Sequence, residues 1–168
     1  MKRTLDLLDA AVGIVVAGLF ASALLLSLAG VAGRYVPHIL APDWIGEIVI
    51  YIVIWAMLLG AARVLRRSGH IRVDFLLERF PPAGRLAAEL LSLFIAFGLS
   101  AFLIWSGWQV VTESMMWDER SISTLRTPLW MYYVALPVSF ALQLVFLLER
   151  AADLATGRSP APAPDLTD

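Results

Sequence analysis

Residues 10–33 read AAVGIVVAGLFASALLLSLAGVAG, 24 residues without Asp, Glu, Lys, Arg or His. A helix of this length reaches about 36 Å, enough to cross a hydrocarbon core of roughly 30 Å. Three further stretches share the property: 48–62, 90–112 and 129–148. The last two are long enough unaided, whereas 48–62 spans only about 22 Å as a helix. That helix is expected to begin near Trp44 and to carry Glu47 just inside one edge, reaching about 28 Å. The expected fold is therefore all-α and integral to the membrane. It has four transmembrane helices over about 10–33, 44–62, 90–112 and 129–148, inside a membrane domain of residues 1–150. A tail, 151–168, carries Pro160, Pro162 and Pro164 and is expected to be disordered.

Composition agrees. Of 168 residues, 60% are hydrophobic, and the mean hydropathy of +0.77 is far above that of a soluble domain. A net charge of -1 offers no basic field for nucleic acid. The absence of Cys removes disulfides, thiolate metal sites and thiol redox chemistry. Met1, Lys2 and Arg3 before an apolar run resemble the start of a secretory signal, with Ala21 and Ala23 as a cleavage site, but the run is too long for a signal and long enough to span.

The cations orient the chain. Lys2 and Arg3 precede the first span, Arg63, Arg66, Arg67, Arg72, Arg79 and Arg85 fill the second connection, and Arg150 and Arg158 follow the fourth span. The other side holds only Arg34, Arg120 and Arg126. Positive-inside bias places both termini and the second connection in the cytoplasm.

Pro37 and Pro42 make the first connection a tight turn that forces helices one and two to be antiparallel neighbours. In the second connection Ile71, Phe75, Leu76 and Phe80 alternate with Arg72, Asp74, Glu78 and Arg79, a short amphipathic helix on the cytoplasmic membrane surface, ended by Pro81 and Pro82. Trp44, Trp105, Trp108, Trp117, Trp130, Tyr132 and Tyr133 collect at the opposite side, as an interfacial belt or a docking surface. Pro137 falls inside helix four and should free a carbonyl and bend it. Gly13, Ala17 and Ala21 recur every fourth position on helix one and permit close approach of another helix, inside or outside this chain. No internal repeat marks an inverted-repeat transporter.

Residues that carry chemistry are sparse. His38 and His70 fall in connections on opposite sides, so they cannot jointly hold haem or a metal. No nucleophile triad or glycine-rich phosphate loop is present. Neither a cofactor nor catalysis is expected. Glu47 is the most interesting carboxylate: a coupling-cation ligand is one reading, and an interfacial ion pair with Arg34 is the favoured one.

From Trp44 the order Trp44, Glu47, Tyr51, Trp55, Gly60, Arg66, Gly69, His70, Ile71, Val73, Asp74 resembles the small membrane subunit of tripartite ATP-independent periplasmic (TRAP) transporters, the DctQ-like family. Pro128, Trp130, Tyr133 and Pro137 resemble that family's Pro-x-Trp and later Pro, and Gly46 stands where some members carry a second acid. The resemblance implies a non-catalytic scaffold in the bacterial inner membrane. Its partners would be a large membrane subunit that carries substrate and sodium sites, a periplasmic substrate-binding protein that captures an organic acid, and the lipid bilayer. On this reading Arg34, Trp44, Glu47, Arg66, Gly69, His70, Asp74, Trp130 and Pro137 are interface or structural candidates. His70 and Asp74 brace the turn after helix two or contact the large subunit, a local hydrogen bond between them being the plainer alternative. Arg120 and Arg126, with Glu113, Asp118 and Glu119, would face the binding protein. Two competing functions are a stand-alone small multidrug-type exporter, which would need a membrane-embedded Glu in helix one that is absent, and a membrane anchor for a redox enzyme.

Overall fold

The computed structural model describes residues 2–35, 42–67 and 82–156. The expected surface helix, with Gly69, His70 and Asp74, lies outside the described residues, as does the tail from residue 157. The described chain is helical: α1 (Lys2–Tyr35), α2 (Ile45–Arg67), α3 (Pro82–Met116), a short α4 (Trp130–Tyr133) and α5 (Ala135–Ala155). Four segments are long and apolar enough to cross a membrane: Arg3–Tyr35, Ile45–Arg66, Ala87–Met116 and Trp130–Leu154, the last formed by α4 and α5 together.

The helices run past the uncharged stretches. The 34 residues of α1 and the 35 of α3 reach about 51–53 Å, well beyond a hydrocarbon core of about 30 Å. Membrane thickness sets only a minimum length, because the hydrogen-bond ladder continues until local chemistry stops it. Helix α3 starts with Pro82 as its first residue, where a missing N–H is harmless. It stops at Asp118, which turns left-handed at φ 46°. There the Asp118 N–H donates to Met115 O and the Glu119 N–H to Ser114 O, a Schellman cap.

Packing is pairwise and open. Helix α1 packs on α2, α2 on α1 and α5, and α3 on α5, so the four spans stand in a row ordered α1, α2, α5, α3. On α1, Leu5, Asp9, Val12, Val16, Leu19, Ala23, Leu26 and Gly30 are buried or half-buried. Their alternating spacing of four and three is the seam of a near-antiparallel helix pair. The expected small-residue repeat divides: Gly13 is buried, while Ala17 and Ala21 are exposed. Ala56 and Ala62 of α2 and Ala135 of α5 are fully buried in the middle of the row, small side chains that let helices approach where lipid provides no hydrophobic drive.

Pro137 is buried near the start of α5. Its missing N–H leaves the Tyr133 carbonyl without its ladder donor, while at Val134 the ladder continues, its N–H donating to Trp130 O and its carbonyl accepting from the Val138 N–H, with right-handed helical angles (φ -63°, ψ -18°). The break is a local gap without unwinding. It also fits α3: a Cβ on the buried Gly107 would meet Leu136 Cδ2 at 2.5 Å and Pro137 Cδ at 3.1 Å. Gly107→Leu is expected to push α3 off α5 and cost about 1–3 kcal/mol. Gly98→Leu, where a Cβ meets nothing within 4 Å, should stay within about 0.5 kcal/mol or gain helix propensity. Unfolding of both variants by denaturing detergent checks this; equal losses would refute the close approach.

Candidate functional site

Charged and polar side chains gather at the two ends of the row. At the end where α1 begins and α2 finishes, Arg66 of α2 grips Glu149 of α5 in a two-pronged pair, Nε to Oε2 at 2.8 Å and Nη2 to Oε1 at 2.9 Å. Its Nη2 also donates to Asp6 of α1 at 2.7 Å, and the guanidinium lies 5.2 Å from the Phe146 ring centroid. One turn deeper, Arg63 Nε donates to Asp9 at 3.1 Å, and Asp9 is only 6% exposed. A Cβ on Gly13 would collide with the Arg63 guanidinium, so the glycine makes room for this pair. Arg150 of α5 reaches Glu89 of α3 at 3.2 Å. These pairs tie all four spans together.

At the opposite end the connection from α3 to α4 folds into a small hairpin. The Ser121 N–H donates to Thr127 O, the Leu129 N–H to Glu119 O and, at its turn, the Arg126 N–H to Ser123 O. Arg126 takes φ 46°. The stem residue Asp118 is clamped by Arg120 through contacts of 3.0 and 3.1 Å, which holds its carboxyl below the usual range. The hairpin is fastened to the head of α2 by two carboxylates. Asp43 accepts from the Thr124 hydroxyl at 2.6 Å and the Thr124 N–H at 3.1 Å. Glu47, in the first turn of α2, accepts from Ser121 Oγ at 2.5 Å. The Thr124 hydroxyl, and after it the Thr124 N–H, hold the Asp43 carboxyl below its ordinary value.

The expected Glu47–Arg34 ion pair is absent. Arg34 is exposed at the end of α1, whereas a residue in the first turn of α2 leans back toward the helix start, where the hairpin sits. The positive end of the helix dipole also favours the Glu47 carboxylate without a cation. The nearby aromatics are part packing, part belt. Tyr51 stacks on Tyr132 at 5.1 Å, Tyr132 contacts Tyr133 at 4.2 Å, and Trp55 Nε1 donates to Met131 O at 3.1 Å. Trp105, Trp108 and Trp117 are exposed; Trp44 and Trp130 are half-buried. Below the hairpin an apolar cavity of about 470 Å³ opens between α1, α2 and α4, lined by Leu19, Ile48, Tyr51, Ile52, Trp55, Thr127, Trp130, Met131 and Val134. No cluster of three His, Cys, Asp or Glu suited to a metal occurs among the described residues.

Sequence reasoning named Arg66 and Glu47 but none of their partners. A signal for the first end was present. Asp9 and Glu89 immediately precede uncharged stretches and Arg63 and Glu149 immediately follow them, all at one end of an up-and-down chain. The signal for the other end was the hydroxyl-rich Ser121, Ser123, Thr124 and Thr127 opposite two carboxylates.

Residues 23–157 match the family described as tripartite ATP-independent periplasmic transporters, DctQ component. The chain belongs to the DctQ family. Among curated relatives, it is 28% identical over 123 residues to the C4-dicarboxylate TRAP transporter small permease protein DctQ of Rhodobacter capsulatus, covering 70% of this chain and 52% of that one. It is 27% identical over 112 residues to the isethionate TRAP transporter permease protein DctMQ of Oleidesulfovibrio alaskensis, covering 67% of this chain and 18% of that protein. The chain thus spans about half or less of the relatives it matches. As a DctQ-family member with four spans it is a TRAP transporter small subunit and a multi-pass inner-membrane protein. The matched region contains the hairpin, Arg63, Arg66, Glu89 and Glu149, whereas Asp6 and Asp9 precede it.

Both ends give testable outcomes. Arg66→Ala in this DctQ-family chain should cost about 2–4 kcal/mol, since it strands Glu149, whose side chain is only 14% exposed, and Glu149→Ala should cost less, since Arg66 keeps Asp6. Asp6→Ala, at 67% exposure, should cost less than about 1 kcal/mol; a double-mutant cycle in detergent unfolding resolves the order. At the hairpin, a lowered folded pKa means that the Asp43 contribution is present above the ordinary carboxylate value and is lost as pH falls through the lowered one. Deuterium exchange at the Thr124 amide should therefore show constant protection from neutral pH to about 4, and a loss below it that Asp43→Asn abolishes.

Proposed function

We propose that this chain is a non-catalytic, stationary scaffold that packs against the large membrane subunit of its transporter. The carrying observation is the single-layer row: four spans side by side, with charges confined to the ends and both faces apolar. No ionisable side chain lies between Asp9 and Arg34, Glu47 and Arg63, Glu89 and Glu113, or Arg126 and Glu149, tyrosines aside. A subunit that handled an ion or a charged substrate would need such groups at midplane depth. A frame against which a carrier domain slides needs width and rigidity, which a row of four spans clamped at both ends supplies.

In this reading the Arg66 end is cytoplasmic by positive-inside bias and the hairpin end periplasmic. Trp44 and Trp130 sit at the outer interface, and exposed Arg34 is free to contact a partner. Gly69, His70 and Asp74 would brace the cytoplasmic turn after α2 or contact the large subunit. A periplasmic binding protein would deliver an organic acid to the large subunit for uptake coupled to sodium. Support for the substrate class comes from the family and from relatives named for isethionate and C4-dicarboxylate transport.

Co-purification in mild detergent tests the assignment. The tagged chain should bring down one larger membrane protein, and uptake of a labelled organic acid in proteoliposomes should require both. Replacing every carboxylate of the Arg66 network should lower recovery of the pair, with no change in substrate affinity in whatever complex remains. Uptake by the large subunit alone at the full rate would overturn the scaffold reading.

A further inference from the structure

The cavity beneath the hairpin has no role in the scaffold. Its wall runs from Leu19, midway along α1, past Ile52 and Trp55 to Thr127 and Trp130 at the hairpin end. It thus begins at hydrocarbon depth and ends at the interface, and its lining is almost wholly apolar. The polar groups near its upper end are unevenly matched. Asp43 already accepts from Thr124, Glu47 from Ser121 and Asp118 from Arg120. Arg126, the residue before Thr127, is exposed and forms no ion pair among the described residues; the Trp130 indole N–H has no acceptor among them either. The competing charges are Asp118, whose carboxylate feels the Arg126 charge, Glu119, exposed on the facing strand of the hairpin, and Glu47, whose Oε1 has no hydrogen-bond partner among the described residues.

We propose that the cavity holds one acyl chain of an anionic phospholipid of the surrounding bilayer, with its phosphodiester received by Arg126 and the Trp130 indole. An apolar slot whose lining reaches Thr127 and Trp130, one residue from the exposed Arg126, matches the two halves of such a lipid. Arg presents a planar fork to phosphate oxygens, and Trp sits at this depth with its ring in hydrocarbon and its N–H toward headgroups. A zwitterionic lipid brings the same phosphate with its own ammonium, so the extra attraction belongs to the anionic class.

The test uses the full chain alone, so its result is separate from the fate of the scaffold reading. Protein in nanodiscs of equal phosphatidylglycerol and phosphatidylcholine is released into mild detergent, and retained lipid is counted by native mass spectrometry. One retained phosphatidylglycerol is expected, enriched about fivefold over the bulk ratio, the equivalent of about 1 kcal/mol for one Arg at a membrane surface. Arg126→Gln should return the ratio to bulk, Arg126→Lys should keep part of it, and Glu119→Gln should raise it. Ile52→Trp, which fills the slot, should remove retained lipid of both classes. Wild-type enrichment in Arg126→Gln, or unchanged retention in Ile52→Trp, overturns the proposal. If Ile52→Trp leaves lipid retention intact but blocks co-purification of the large membrane protein, the slot receives a helix of that partner and the lipid assignment is wrong.

Discussion

Arg66 and Glu149 join α2 to α5, the two inner spans of the row, and the remaining order of helices hangs on that pair. Lipid gives apolar helices no reason to prefer one another over acyl chains, so helix order is set by close packing and by the few polar contacts available. The same guanidinium holds Asp6 of α1, and its neighbour Arg63 holds Asp9. Arg150, next to Glu149, holds Glu89 of α3. Remove the central pair and the row is left as two helix pairs, α1 with α2 and α3 with α5, joined to each other without their ionic clamp.

The opposite end solves the same problem with weaker chemistry. Hydroxyls and one backbone N–H meet two carboxylates, and the hairpin so fastened closes the end of α2 without a cation. Between the ends, α2 and α5 carry fully buried alanines, and α3 approaches α5 where Gly107 faces Pro137. The outcome is a row of helices fastened at both margins, with a middle free of Asp, Glu, Lys, Arg and His.

Much of this was legible in the residues. Charge-free runs gave four spans because hydrocarbon tolerates little else, and Pro137 gave a break because proline has no N–H. Glu47 and Arg66 stood out as polar residues beside apolar runs. Their partners did not, since Ser121 lies 74 positions from Glu47 and Glu149 lies 83 from Arg66, and periodicity along one helix carries no information about which other helix it meets. The Arg34 reading failed for that reason: it chose the nearest cation in sequence, while the first turn of α2 points toward a hairpin that arrives from the far side of α3. The Gly13, Ala17 and Ala21 repeat divides for a related reason: Gly13 faces α2 and makes room for a guanidinium, while Ala17 and Ala21 are exposed on this chain.

The sequence by itself determined that the chain is a four-span membrane protein of the DctQ kind, because burial in lipid is a matter of local composition and the motif order around α2 is local too. Tertiary structure alone decided that the spans stand in a row, that Glu47 binds a hairpin hydroxyl, and that the acids and bases bounding the uncharged runs lock into one network. Those outcomes depend on which helices become neighbours. In a bilayer that choice rests on a handful of contacts distant in sequence, and only the folded chain brings them together.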